Sequence, residues 1–152
     1  MRAVIQKSGK ASVEINGKIV SKIEKGLVVL VGITNTDTDK DIDFIADKIA
    51  NLRLFEEKEK YFEKSISDTT KQILLISQFT LYGDCHKGRR PDFANAAKAE
   101  IAEPIYNKLV DKLKKSGLDI KTGVFREMMK VSLTNEGPIT IILDSNITNK
   151  NG

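Results

Sequence analysis

The sequence predicts an α/β protein in which helices cover one side of a sheet system. Three observations lead there. Short β-branched segments punctuated by glycine open the chain. Two runs of helical periodicity interrupt it, and strand-like segments follow each of them. No internal repeat or linker-like stretch divides the 152 residues, so one domain over 1–145 with a polar tail over 146–152 is expected.

Segments 2–7, 10–15 and 18–23 read as an opening β-meander, with Gly9 and Gly17 as its breaks. Leu27-Val28-Val29-Leu30-Val31, between Gly26 and Gly32, reads as a strand buried on both faces. The glycine spacing does not fit a dinucleotide fingerprint. Thr38 and Asp41 are spaced as a capping pair, after which Ile42, Ile45, Ile49 and Leu52 share one helical face. Leu52-Arg53-Leu54-Phe55 reads as a short strand, and charged Glu56 to Asp68 as an exposed loop or irregular hairpin. Residues 72–81 are the clearest strand, followed by a loop from Tyr82 to Ala94. The second helix aligns Ile101, Ile105, Leu109 and Leu113, with Pro104 expected in its first turn and Gly117 as its C-cap. Residues 129–134 and 139–144 read as the last two strands, separated by a turn at Asn135-Glu136-Gly137-Pro138.

Composition excludes several classes. At 40% hydrophobic and 30% charged residues the chain is ordinary for a globular protein, and no apolar run approaches a membrane span. The N-terminus lacks a signal-peptide apolar region, so a cytoplasmic protein is expected, with no membrane partner. A single cysteine, Cys85, and a single histidine, His86, rule out an intrachain disulfide and Cys-rich or multi-histidine metal sites, and no cofactor is expected. Adjacent Cys85 and His86 diverge in an extended chain and read as an ordinary loop pair rather than a nucleophile and its base. A net charge of +4 is compatible with nucleic acid without showing it.

The candidate site lies at Ser77-Gln78-Phe79-Thr80, at the end of the apolar run Ile73-Leu74-Leu75-Ile76. Polar groups at the exit of a buried strand are costly unless hydrogen-bonded or put to use. Alone, such a stretch is more often a sheet simply reaching solvent. If it continues as a strand, Ser77 and Phe79 point one way and Gln78 and Thr80 the other. No lysine or acid stands beside Ser77 or Thr80 to activate a hydroxyl. Any bond hydrolysed here is therefore intrinsically weak, with backbone N–H groups and water carrying the chemistry. A few residues on, Lys87, Arg89 and Arg90 form a basic loop. Such a run is commonly just solvated, but its place beside the candidate site points to phosphate.

Read together, these stretches resemble the D-aminoacyl-tRNA deacylases, over nearly the whole chain. Ala11-Ser12-Val13 and Gly26 to Gly32 fit the family's N-terminal part, and Ser77-Gln78-Phe79-Thr80-Leu81 fits its Ser-Gln-x-Thr motif. Arg90-Pro91-x-Phe93, Thr122-Gly123-x-Phe125 with Met129, and Asn135-x-Gly137-Pro138-x-Thr140 follow in the family's order. Each motif is weak alone; five in order are specific.

The resemblance implies a mixed α/β fold with a two-sheet, barrel-like core and a layer of two main helices. It implies a homodimer with active sites shared between subunits, acting on aminoacyl-tRNA. Ser77, Gln78, Phe79 and Thr80 would form the catalytic stretch, and Met129, Asn135, Gly137, Pro138 and Thr140 would bind substrate. Gly137-Pro138 would be a Gly-cisPro step entering the partner's pocket and rejecting L-aminoacyl esters by exclusion. Glycyl-tRNA mischarged on tRNA(Ala) would also be hydrolysed. Lys87, Arg89 and Arg90 would meet tRNA phosphates. Arg126-Glu127, Lys60-Tyr61-Phe62-Glu63 and Asp92 depart from the family pattern. The alternatives are a non-catalytic RNA-binding module and, more remotely, a dimeric small-metabolite sensor. An aromatic content of 6% without tryptophan gives little support to base stacking on single strands.

Overall fold

The computed structural model describes residues 1–69 and 71–146. Among the described residues, eight strands and two α-helices follow in the order β1 (Arg2–Ile15), β2 (Lys18–Ile23), β3 (Gly26–Gly32), α1 (Asp39–Asn51), β4 (Arg53–Glu57), β5 (Lys60–Ser65), β6 (Gln72–Ser77), α2 (Ala99–Lys115), β7 (Asp119–Thr122) and β8 (Lys130–Asp144). The mixed α/β class with a two-sheet, barrel-like core and two main helices is what the sequence predicts.

The main sheet runs β2-β1-β3-β6-β7, with β8 along the other edge of β1. The β3–β6 and β6–β7 pairs are parallel, and the pairs made by β1 are antiparallel. The first half of β1 pairs with β3 and its second half with β2, so the sheet turns along this one strand. The second sheet is the β4–β5 hairpin, the irregular hairpin foreseen for the charged segment.

Both faces of the main sheet are covered. Ala3, Ile5, Leu27, Val29, Val31, Ile73 and Leu75 face a core shared with Ile42, Ile45 and Ile49 of α1 and Tyr106, Leu109 and Leu113 of α2. The alternate residues Val28, Leu74 and Ile76 join Val13 and Ile23 in a second cluster, with Met129 and Leu133 against it. Two-sided burial is why β3 and β6 are unbroken apolar runs. Each fully buried Leu, Ile or Val contributes about 1.5–3 kcal/mol.

Several sequence expectations need correction. Segments 2–7 and 10–15 are one strand, because Gly9 marks a register shift against β8 rather than a break. Segments 129–134 and 139–144 are likewise one strand, β8, with the Gly-Pro step inside it. Pro104 lies in the second turn of α2, because that helix begins at Ala99; its missing N–H leaves the Glu100 carbonyl without an intrahelical donor. The buried stripe of α2 is Ala102, Tyr106, Leu109, Val110 and Leu113, and Ile101 stands exposed. The Thr38–Asp41 capping box is formed as expected. Of the tail over 146–152, all but Asn146 falls outside the described residues. No helix among the described residues is long and apolar enough to cross a membrane.

Candidate functional site

The apolar run of β6 ends at Ser77, which pairs with Val31 at the end of β3. The Gln78 N–H donates to the Val31 carbonyl at 2.7 Å, the last tie to the sheet. The backbone then closes into a 3-10 turn over Phe79–Tyr82. This corrects the expected strand over 72–81 and its alternation of side chains beyond Ser77. The turn forms because polar Gln78 and Thr80 have left the two-sided core, and local i→i+3 bonds replace the ladder. Leu81 N–H donates to the Gln78 carbonyl at 3.3 Å, and Gly83 N–H to the Thr80 carbonyl at 3.0 Å. The opening N–H groups of such a turn, those of Phe79 and Thr80, have no acceptor within it.

The Gln78 side-chain amide donates to the Thr80 hydroxyl oxygen. That contact occupies the oxygen rather than activating it, since an amide cannot accept its proton as a base would. Phe79 is exposed, with its ring edge-to-face on Phe93 at 5.1 Å and 70°. Tyr106 braces the strand from behind by donating its hydroxyl to the Leu75 carbonyl at 2.8 Å. Burial pushes that phenol up, so it stays a protonated donor. Met129 is half-buried against Gly123, whose N–H also donates to the Leu75 carbonyl, at 3.3 Å. This places Met129 beside β6, packed against the cluster that holds Leu74 and Ile76.

The second stretch is a projection from β8. The Gly137-Pro138 peptide is cis, and Gly137 has φ +114°. Proline has no N–H for the ladder, which is why it sits at an interruption in the pairing, between Asn135 opposite Ser8 and Thr140 opposite Gln6. Asn135 clamps the projection. Its carbonyl oxygen accepts from Ile139 N–H at 3.0 Å, and its amide donates to the Thr140 hydroxyl at 3.0 Å and the Ile139 carbonyl at 3.3 Å. Gln6 donates to the same hydroxyl at 3.2 Å. Asn135 and Thr140 thus hold the loop, while Gly137 and Pro138 are exposed at its tip. Gln6 was not foreseen; a polar residue within an alternating strand gave no signal of this contact.

The structure does not bring the two stretches together within one chain. Ser77 is in register with Val31, Val31 with Ala3, and Ala3 with Leu143 on β8. Gly137 lies six residues back along β8 from that line. This is about 20 Å along the strand and about 14 Å across three strand spacings.

The basic loop is closed at its base. Asp84 and Asp92 exchange backbone hydrogen bonds of 2.7 and 2.9 Å. Lys87, Arg89 and Arg90 are exposed, and inside the loop the Asp84 carboxylate contacts the His86 ring at 2.5 Å. The His86 backbone N–H, and then its ring, hold the Asp84 carboxyl below the usual carboxylate range. Among the described residues no group of three His, Cys, Asp or Glu side chains could hold a metal ion.

A strand exit that closes into a 3-10 turn, a clamped backbone projection and an exposed basic loop define a class: an α/β protein whose candidate site is built mainly from backbone. Comparison with known proteins is specific. The D-Tyr-tRNA(Tyr) deacylase family matches residues 4–144. A D-aminoacyl-tRNA deacylase of Brevibacillus brevis is 52% identical over 145 residues, covering 95% of this chain and 100% of that protein. One from Bacillus cereus is 53% identical over 95% of this chain and 99% of its own. A solved structure described as a c-Myc DNA unwinding element binding protein superposes with a TM-score of 0.89 at 42% identity, over 95% of this chain and 99% of that one. A probable eukaryotic D-amino acid tRNA deacylase, 17% identical over 93% of this chain and 97% of its own, shares the fold with a TM-score of 0.81. The chain belongs to the D-Tyr-tRNA(Tyr) deacylase family, and is an enzyme of the hydrolase class.

Proposed function

We propose that the protein hydrolyses the ester of D-aminoacyl-tRNA, releasing tRNA and the D-amino acid, and accepts glycyl-tRNA mischarged on tRNA(Ala). The observation that carries this reading is the exposed, clamped Gly137-Pro138 tip, far in its own chain from Ser77–Thr80. A backbone projection without a site of its own is suited to a second copy's site. The reading is therefore a homodimer in which the tip of one subunit enters the pocket of the other. Carbonyls of the tip would receive the substrate's α-ammonium group, and an L side chain would collide with the tip where hydrogen does not. A cytosolic setting goes with a tRNA substrate.

Catalysis in this reading needs no side-chain nucleophile. Water adds to the ester carbonyl, whose oxygen becomes anionic and is held by the Phe79 and Thr80 N–H groups. The intermediate collapses by expelling the ribose oxygen, which takes up the proton given up by the attacking water, relayed through the neighbouring ribose hydroxyl. Met129 and Phe79 line the pocket, and Lys87, Arg89 and Arg90 meet acceptor-stem phosphates.

A second reading, nucleic-acid binding without catalysis, draws on the basic loop and on the name of the 42% identical structural relative. Hydrolysis of matched D- and L-tyrosyl-tRNA by the purified protein, with and without chelator, separates the two. Rapid release of the D residue alone supports the deacylase. Binding of tRNA with neither ester cleaved supports the binder, and equal cleavage of both removes the chiral role from Gly137-Pro138.

A further inference from the structure

We infer that His86 is a proton-gated phosphate contact, the fourth of a set with Lys87, Arg89 and Arg90, on a loop that Asp84 organises beside the active site. The inference rests on the proposed action on tRNA and names a substrate contact that neither the family motifs nor the basic run contains.

The loop's position is fixed at both ends. At its start, Gly83 N–H donates to the Thr80 carbonyl at 3.0 Å. At its end, Phe93 meets Phe79 edge-to-face at 5.1 Å. A Cβ on Gly83 would lie 3.0 Å from the Phe93 ring and 3.1 Å from the Thr80 carbonyl, so the two ends are in close contact. The Asp84–Asp92 backbone pair closes the ring between them. Whatever occupies the Phe79–Thr80 turn therefore has residues 85–91 at its rim.

Within that rim, His86 differs from its neighbours. Its side chain is 93% exposed, yet its Nδ1 is held 2.5 Å from Asp84 Oδ1. Its backbone N–H donates to the same oxygen at 2.9 Å, so ring and main chain are fixed together. The remaining charged groups of the loop are Lys87, Arg89, Arg90 and Asp92. With Nδ1–H donating to Asp84, the neutral ring leaves Nε2 as a lone pair, which repels a phosphate oxygen. Taking up a proton turns Nε2 into a donor with a positive charge, while Nδ1–H keeps Asp84 Oδ1 as its partner. Histidine is the side chain whose charge changes between pH 5 and 8. RNA phosphates keep their charge throughout that range. Phosphate binding at His86 is thus tied to the uptake of one proton, whereas Lys87, Arg89 and Arg90 bind without any.

The test is equilibrium binding of uncharged tRNA to the full-length protein at fixed ionic strength between pH 6 and pH 8. Uncharged tRNA avoids titration of the substrate's own amino group. Wild type should bind about three- to tenfold tighter at pH 6 than at pH 8, the range expected of one added charge-assisted contact. His86→Ala should bind weakly with no such pH response. His86→Lys should bind tightly and evenly at both pH values, a rescue that a merely structural histidine would not show. A flat wild-type profile, or a His86→Ala variant that keeps the response, overturns the inference. The combined Lys87→Ala, Arg89→Ala, Arg90→Ala variant distinguishes the deeper failure. If its affinity equals that of wild type at every pH, the loop is no tRNA contact and the His86 inference falls with it. If it loses affinity while His86→Ala still responds to pH, only His86 is refuted.

Discussion

Replacing Gly137 with alanine tests the projection most directly. Gly137 has φ +114°, a backbone region that residues with a Cβ rarely adopt. The added Cβ would stand 2.8 Å from Ile139 Cγ1 and 3.1 Å from Ile139 N. Ile139 cannot simply step aside: its side chain packs on the main core and its N–H is held by Asn135. Holding a non-glycine residue in such a conformation costs about 1–3 kcal/mol. That energy has two outlets. If the tip keeps its shape, the protein loses stability, and a chain of this size loses about 2–4 °C of Tm per kcal/mol. If the tip relaxes, its carbonyls move, and each 1.4 kcal/mol lost from the transition state slows the reaction about tenfold.

The expected result is a Tm lowered by about 12 °C at most, with hydrolysis of D-tyrosyl-tRNA slowed about tenfold or more. Single-turnover assays on the D and L esters, beside thermal melts, read both outlets. Gly17→Ala is the control. It also has positive φ, +78°, but nothing lies within 4 Å of its added Cβ, and it sits in the β1–β2 turn. It should lose stability without losing D-ester turnover. Near-normal D-ester turnover by Gly137→Ala would refute the tip as the chiral filter.

Four further outcomes are expected. Thr80→Ala should keep D-ester hydrolysis within about tenfold of wild type if, as proposed, backbone groups carry the oxyanion; complete loss with folding and tRNA binding intact would restore Thr80 as nucleophile. Asn135→Ala removes three hydrogen bonds from the tip and should cost about 1–3 kcal/mol in a denaturant melt, with a fall in kcat/KM for the D ester. Tyr106→Phe removes the 2.8 Å donor from the Leu75 carbonyl, which keeps the Gly123 N–H, and should destabilise by about 0.5–1.5 kcal/mol, read as a lower Tm. Arg89→Ala with Arg90→Ala should weaken tRNA binding and flatten the slope of log affinity against log salt by about 0.7–0.9 per lost phosphate contact.

The sequence was most legible where one signal had one cause. Two-sided burial made β3 and β6 unmistakable, and the Thr38–Asp41 spacing located the start of α1. It misled where a residue has two meanings. Glycine ends a strand or marks a bulge, and only the partner strand decides; β8 runs past Gly9 and keeps β1 whole. A Gly-Pro step makes a turn or an interruption inside a strand, and here Asn135 bonding across it to Ile139 and Thr140 selects the second. The apolar run of β6 concealed its own end, because nothing in Phe79-Thr80-Leu81 forbids extension. The strand stops where the sheet stops covering it. Contacts such as Gln6–Thr140 and Phe79–Phe93 join distant segments and leave no local trace.

The same geometry bears on how such a site could work without a base. The Thr80 hydroxyl oxygen accepts from Gln78, and no acid or lysine adjoins it in sequence. A site of this kind can accelerate only a bond that is already labile, and an aminoacyl ester on a ribose is one. Discrimination then becomes the harder task. Side chains can change rotamer, and a methyl-sized difference in a side-chain pocket is worth only about 1–3 kcal/mol. A projection made of backbone, with its φ fixed at Gly137 and its neighbours clamped by Asn135, cannot yield in that way. Under the proposed function, the tip therefore excludes by steric overlap where a pocket would select by fit. That predicts a definite asymmetry. Substitutions at the Ser77–Thr80 turn should slow D-ester and glycyl-ester hydrolysis together, whereas loosening the clamp with Asn135→Ala should let the L ester in. An Asn135→Ala enzyme that lost D-ester activity with no gain on L-tyrosyl-tRNA would show that the clamp orients the substrate rather than excluding its enantiomer.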